Sequence, residues 1–282
     1  MPGILYVVAT PIGNLEDVTL RALRVLREVA VIAAEDTRRT ARLLQHYSIS
    51  TPTTSLHEHN EWQKAQTLID RLQAGESIAL VSDAGTPVVS DPGAHLVAAA
   101  HASGIRVEPV PGPVAAVAAL SASGFQETEA LFLGFPPNRS SDRKRWLARL
   151  ADERRILLLY EAPHRIEATL KDMLDAWGDR RVAVARELTK LHEELVVRPI
   201  SGHLKALGTP RGEFTLVVEP MPLASQGIAS KPPGFELAAE FGELTNSGLG
   251  SRREVLKLLS AKYGISSREL YAIIERHKNS PE

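Results

Sequence analysis

The chain contains no cysteine. That absence excludes disulfides, thiolate zinc sites, iron–sulfur clusters and a cysteine nucleophile, and it suits a reducing compartment. A basic surplus is also missing. Lys and Arg number 33 against 34 Asp and Glu, a formal net charge of −1 at neutral pH. Proteins that coat nucleic acid usually carry a basic excess, so any such contact here has to come from local patches. Neither a basic n-region nor a cleavage signal accompanies Met1-Pro2-Gly3. The longest apolar runs fall well short of a membrane span. No G-x-x-x-x-G-K-S/T loop occurs and no G-x-G-x-x-G follows the first strand, which argues against NTPase and standard dinucleotide chemistry. These absences lead to the expectation of a soluble cytoplasmic protein with no membrane association.

What remains is ordinary globular material. The 282 residues are 44% hydrophobic and 24% charged, enough for two domains with real cores and a small appendage. Ile4 to Ala9 is an apolar, β-branched run that stops at Thr10-Pro11-Ile12-Gly13-Asn14, a strand followed by a turn. Leu20, Leu23, Val25, Leu26 and Val29 recur at helical spacing, with Asp17 or Thr19 as N-cap. Strands are predicted at Val31–Ala34, Ser77–Val81, Val107–Val110, Ala130–Phe135, Ile156–Tyr160, Val182–Arg186 and Phe214–Glu219. Helices are predicted from about Thr37 to Tyr47, at Ala94–Ser103, after Pro113 to Leu120, at Arg143–Leu150 and at Arg165–Trp177. Glu194–Leu207 reads as a hairpin. Strands that alternate with helices imply mainly parallel sheets, and the break near Ser123-Gly124 suggests two α/β domains, 1–123 and 124–220. A proline-rich linker, 221–234, leads to three short helices in 235–282: Phe235–Leu244, Arg252–Tyr263 and Ser267–His277. Ser251 and Ser266 are candidate N-caps, and Tyr263-Gly264-Ile265-Ser266 is a tight turn as in a helix-turn-helix.

In α/β folds, chemistry sits in the turns just past strand C-termini. The turns here are Thr10–Asn14, Glu35-Asp36-Thr37-Arg38, Ser82–Pro87, Pro111–Pro113 and Tyr160–Arg165, rich in Gly and Pro. Those residues let a backbone approach a ligand, or they merely make turns. His57-Glu58-His59-Asn60-Glu61 invites a metal reading, but histidines two apart do not share a helix face. A polar substrate-binding loop is preferred, and no metal is expected. Basic residues cluster locally at Arg38, Arg39 and Arg42. A second cluster holds Arg143, Lys144 and Arg145 with Trp146, and a third includes Arg252 and Arg253. Such clusters suit phosphate contact and base stacking, or they are solvated helix faces.

Together these turns resemble a known family. Val7 to Asp17, Ala34-Glu35-Asp36-Thr37-Arg38 and Leu80 to Pro87 are the first three stretches that carry the likeness. Ser90-Asp91-Pro92-Gly93, Pro111-Gly112-Pro113 and Tyr160-Glu161-Ala162-Pro163-His164-Arg165 complete it. The chain is similar, from about Ile4 to Glu219, to the tetrapyrrole methylase superfamily, and within it to the branch that modifies ribosomal RNA. The tetrapyrrole enzymes usually have a G-x-G-x-G-D first loop, whereas Ala9-Thr10-Pro11-Ile12-Gly13-Asn14 stands here, which favours the RNA branch. The resemblance implies two α/β domains with S-adenosylmethionine in the cleft between them, a homodimer, and 2′-O-methylation of a cytidine ribose in the decoding region of small-subunit ribosomal RNA. It implies cofactor contacts at Pro11, Ile12, Asp83, Gly85, Thr86, Val114, Ala115, Tyr160, Leu188, Gly212 and Glu213.

A ribose hydroxyl is a poor nucleophile while protonated, so a base near the attacking oxygen would help. The candidates on these loops are Asp36, Glu161, Glu58 and His57. Each carboxylate has an ordinary alternative as the ion-pair partner of a neighbouring Arg. Arg38 and Arg165 are placed to neutralise RNA phosphates. Two other functions stay open. One is methyl transfer to a tetrapyrrole-type small molecule, and the other is a non-catalytic ribosome-binding factor.

Overall fold

The computed structural model describes residues 1–221, 233–246 and 251–278, which fall into two compact units, Met1–Pro220 and Met221–Glu282. In chain order the first unit begins with β1 (Ile4–Val8), α1 (Leu20–Glu28), β2 (Val31–Ala34), α2 (Thr37–His46), β3 (Thr53–Ser55), α3 (Glu61–Gln73) and β4 (Ile78–Val81). It continues with α4 (Ala94–Ala102), β5 (Arg106–Val110) and α5 (Ala115–Ser123). The N-cap of α1 is Thr19, whose hydroxyl accepts the Ala22 N–H at 3.1 Å. The five strands form one parallel sheet in the order β3-β2-β4-β1-β5. The chain leaves β1 for β2 on one side and leaves β4 for β5 on the other. One face is covered by α3 and α4, the other by α1 and α2. The carboxyl ends of adjacent β1 and β4 are therefore a topological switch point, where ligands bind in open α/β sheets. β2 and β4 are buried at every residue, as a strand covered on both faces must be.

The second sheet holds β6 (Ala130–Gly134), β7 (Ile156–Glu161), β8 (Arg181–Arg186), β9 (Glu194–Pro199) and β10 (Phe214–Val218) in the order β6-β7-β10-β8-β9. Between these run α6 (Ser140–Ala148), α7 (Ile166–Trp177) and α8 (Ile200–Ala206). Only β6 and β7 are parallel; β10 inserts antiparallel between β7 and β8, and β9 folds back on β8. The expected hairpin over Glu194–Leu207 is corrected. The hairpin is β8–β9, turning through residues 187–193, and Ser201-Gly202 lies inside α8. Asp179 holds that helix start, accepting the Ser201 N–H and hydroxyl at 2.7 Å each.

One face of the second sheet packs on α6, α7 and α8 through Leu147, Leu170, Met173 and Trp177. The other face packs on α5, where Ala116 and Ala119 meet Ile156, Leu158, Ala183 and Val217. Each fully buried Leu or Ile is worth about 2 kcal/mol relative to exposure. A helix that follows the first sheet thus closes the core of the second, and its Ala-rich sequence allows the close approach.

The second unit has its own core. In it α9 (Gly234–Asn246), α10 (Arg252–Tyr263) and α11 (Ser267–Lys278) bury Leu237, Phe241, Val255, Leu259, Leu270 and Ile274. Ser251 begins α10 with its N–H donating to Glu254 Oε2 at 2.7 Å, half of a capping box. The Ser266 hydroxyl accepts the Glu269 N–H at 3.2 Å. Most of the 221–234 segment lies outside the described residues. Among the described residues, no helix is long and apolar enough to cross a membrane.

Candidate active site

The turns after β1, β2, β4 and β5 are stitched together. Thr10 and Gly85 exchange backbone hydrogen bonds of 2.8 and 3.0 Å, and the Thr86 hydroxyl donates to the Pro113 carbonyl at 3.3 Å. Gly85 has a φ of +85°, and a Cβ there would stand 3.3 Å from Ile12 and 3.4 Å from the Pro113 oxygen. Only glycine suits both the conformation and the space. Asp83 ties in the β2 turn. Its carboxylate accepts the Asp36 N–H at 3.0 Å and pairs with Arg39 at 3.2 Å, while its own N–H donates to Glu35 at 3.2 Å.

Facing these turns are β7, the start of β10 and the 187–193 loop of the second sheet. Tyr160 Oη accepts the Ala116 N–H at 3.3 Å, and its ring packs near Phe132 and Phe135. Leu188 sits on a loop in which Glu187 and Thr189 hold left-handed φ values of +49° and +67°. Such conformations cost energy and mark places where the surroundings over-determine the backbone. Between the two sets of loops lies a cleft of about 390 Å³.

Carboxylates dominate the charge of the cleft. Glu35, Asp83 and Asp91 line one side, with Thr86, Val114 and Ala115 close by and Ile12, Phe135 and Leu188 supplying apolar wall. Burial pushes the Glu35 carboxyl up, against the opposing hydrogen bond from Asp83. Asp91 is pushed up to about 6, first by burial, then by the like charge of Glu35. Burial also raises Tyr160. Val114 gives α5 no side-chain cap, and apart from the Ala116 N–H, which Tyr160 takes, the N–H groups of this first turn favour an anionic group. The arrangement suits a ligand that carries both a cationic centre and a carboxylate beside a flat apolar portion.

Comparison with known proteins decides the family. A model of the tetrapyrrole (corrin/porphyrin) methylases matches residues 4–202. The chain belongs to the tetrapyrrole methylases. Within them it is similar to proteins named ribosomal RNA small subunit methyltransferase I. One from Synechocystis is 45% identical over 276 residues, covering 96% of this chain and 97% of that protein. Another, from Pseudomonas aeruginosa, is 54% identical over 200 residues, 71% of each chain. Among solved structures, the methyltransferase CobJ has a TM-score of 0.60 at 19% identity, covering 77% of this chain and 94% of that one. Uroporphyrin-III-C-methyltransferase from Thermus thermophilus has a TM-score of 0.55 at 22% identity, covering 78% and 94%. These two show the shared fold alone: two α/β sheets with loops converging on a cleft.

In this tetrapyrrole methylase the cleft gathers nine of the eleven expected cofactor positions: Ile12, Asp83, Gly85, Thr86, Val114, Ala115, Tyr160, Leu188 and Glu213. Pro11 lines an adjoining groove with Arg42 and Lys190. Gly212 lies outside the cleft. Its φ is +81°, and a Cβ there would come within 2.3 Å of Glu187, so its job is to let that side chain pack.

The base candidates fare differently. Asp36 caps α2 and is held by Arg38 at 2.8 Å, which keeps its carboxyl well below the usual range and unsuited to accept a proton. Glu161 is 1% exposed and accepts from Thr169 at 2.5 Å and the Ala162 N–H at 2.8 Å, so its oxygens are committed inward. His57 and Glu58 follow edge strand β3 and do not line the cleft; His57 Nε2 faces Asn60 Nδ2 at 3.1 Å.

The basic residues also separate. Arg143 is a correction: its side chain is 5% exposed and locked to Asp172 at 2.6 Å, so it is a core ion pair and not an RNA contact. Arg165 is mostly buried and clamps the Pro136 carbonyl and Asn138. Lys144 and Arg145 are exposed, though each has an acidic neighbour, Asp172 and Asp142. Arg38 is exposed, while Arg39 reaches the cleft. Arg252 and Arg253 are exposed in the helical unit. The residue that sequence reasoning passes over is Asp91, present in a motif but given no role.

Proposed function

We propose that the chain transfers a methyl group from S-adenosylmethionine to the 2′-oxygen of a cytidine ribose in the decoding region of small-subunit ribosomal RNA. The observation that carries the reading is the carboxylate-rich cleft with apolar wall at the switch point, considered with full-length relatives whose names state action on small-subunit ribosomal RNA. S-adenosylmethionine, when bound, supplies a methyl group on a positively charged sulfur. Glu35 and Asp83 offer the negative surface such a cation needs, and the start of α5, where Val114 gives no side-chain cap, offers its remaining N–H groups to a carboxylate. Ile12, Leu188 and Phe135 give a purine an apolar seat. Much of the rate comes from holding donor and acceptor in line. Arg38 and Arg39, beside the cleft, and Arg252 and Arg253, on the helical unit, take RNA phosphates. A cytoplasmic homodimer accompanies this reading.

The test is twofold. Calorimetry should show S-adenosylmethionine binding, and labelled methyl should enter small subunits taken from cells lacking the gene, appearing as 2′-O-methylcytidine after nucleoside analysis. Label that enters a porphyrin precursor instead, or no cofactor binding, would sink the proposal.

A further inference from the structure

We infer that Asp91 accepts the proton of the ribose hydroxyl during methyl transfer, an inference that rests on the function proposed above.

The cleft is lined by five carboxylates: Glu35, Asp83, Asp91, Glu161 and Glu213. Four are committed elsewhere. Asp83 pairs with Arg39 and holds the Asp36 N–H. Glu213 pairs with Lys190 at 3.1 Å. Glu161 has no exposed side-chain surface and points to Thr169 and Arg165. Glu35 accepts the Asp83 N–H. Asp91 has the Ser82 hydroxyl near it, which lowers its proton affinity somewhat, and among the described residues no ion pair holds it. A carboxylate without a cation keeps its basicity, and one without backbone donors keeps a lone pair for substrate.

The loop that carries Asp91 is built to place it. Val88 and Ser90 hold left-handed φ values of +71° and +69°, unusual for residues with a Cβ. Gly93 follows at +117°, where a Cβ would stand 2.6 Å from Leu80 on β4. The segment is thus pinned at both ends, with Asp91 between. Strained, over-determined backbone of this kind clusters at functional positions.

The groups facing Asp91 set its proton affinity. Glu35 comes from the end of β2, Asp83 from the β4 turn, and Tyr160 and Glu161 from β7, with Arg39 on α2 turned to Asp83. Burial and two like charges raise its affinity for a proton toward neutrality, where a general base works best. Asp91 takes the hydroxyl proton as the oxygen–methyl bond forms and the methyl–sulfur bond breaks, leaving its electron pair on sulfur. The proton then leaves to water through the open cleft.

The experiment compares the full-length wild type with Asp91→Asn and Glu35→Gln. Asp91→Asn should lose about 100-fold or more in turnover on small subunits, with cofactor and RNA affinities within about threefold of wild type. In the ligand-free protein, carboxyl-carbon NMR should show Asp91 titrating near 6 and lower in Glu35→Gln, because a like charge has gone. The acid limb of the turnover–pH profile should move down with it. An Asn variant that turns over at the wild-type rate overturns the role of Asp91 and leaves the methyltransferase reading intact. So does turnover lost only in step with cofactor binding, or an Asp91 midpoint in the ordinary carboxylate range. A wild type that methylates no RNA brings down both.

Discussion

The hydroxyl of Thr189 accepts the backbone N–H of Asn14 at 3.0 Å, across 175 residues of sequence. This bond joins the turn after β1 to the 187–193 loop of the second sheet. It fixes Leu188 in the cleft wall, and it accounts for a left-handed Thr189 that would otherwise be strained without return. Gly13 makes the approach possible. A Cβ there would stand 2.6 Å from Lys190 Cγ, 2.7 Å from the Thr189 hydroxyl and 3.0 Å from the Leu188 carbonyl.

Gly13→Ala should therefore push the loop outward and weaken S-adenosylmethionine binding by about tenfold, near 1.4 kcal/mol. Thr189→Val, which removes only the acceptor, should cost less. Calorimetry on both variants is the check. Wild-type affinity in Gly13→Ala would mean the loop does not form the cofactor wall.

Arg143 and Asp172 form a buried pair under α6 and α7, with Lys144 a further 3.6 Å from the same carboxylate. Removing one partner of such a pair leaves an uncompensated charge, a loss of about 3–5 kcal/mol. Arg143→Ala should lower unfolding free energy on that scale in urea titrations and leave RNA affinity per folded molecule unchanged. Exposed Arg145→Ala should change stability by less than about 0.5 kcal/mol. A stable Arg143→Ala that binds RNA poorly would reverse the assignment.

Much of this architecture is legible in sequence, for physical reasons. β1, β4, β7 and β10 are apolar runs because both faces of each sheet are covered, and the Gly- and Pro-rich turns after β1, β4 and β7 mark the cleft. β3 escapes because Thr53-Thr54-Ser55 has no apolar residue. Glu194–Leu207 misleads because Ser201-Gly202 has the composition of a turn, while Asp179, distant in sequence, makes it a helix start. Charge is the least legible property. Arg143 and Arg145 are alike in sequence and opposite in burial. Asp36 and Asp91 are both loop aspartates, yet one is clamped by Arg38 and the other, among the described residues, is held by no ion pair, a difference only the folded chain contains.

The helical unit carries Arg252 and Arg253 on its surface, Arg252 over the Phe241 ring at 5.9 Å. If they contact phosphates, the double reversal Arg252→Glu/Arg253→Glu should lower affinity for small-subunit RNA. It should also reduce the slope of log affinity against log salt by roughly 1.4, about 0.7 per lost contact on single-stranded RNA. Cofactor binding, which belongs to the other unit, should not change. A salt slope equal to that of wild type would remove the two arginines from the RNA interface.

Asp91 also makes a prediction about stability that needs no substrate. Its folded value of about 6 stands above the ordinary 3.8. Between those values the folded state binds more protons than the unfolded state, so stability falls as pH rises through that window. Above it the wild type bears the whole cost of a half-buried charge, which partial exposure discounts to about 1 kcal/mol. Asp91→Asn carries no charge to bury. At pH 8 the variant should melt about 2 °C or more above wild type, the shift expected from about 1 kcal/mol in a domain of this size. Near pH 4 the wild-type carboxyl is itself protonated in the fold, and the two melting curves should converge. Melting temperatures measured across this range decide the matter: a gap that is absent at pH 8, or equally wide at pH 4, would show that ionising Asp91 costs the fold nothing. A gap that opens as pH rises would mark a residue kept at the expense of stability, as is common for groups retained for chemistry.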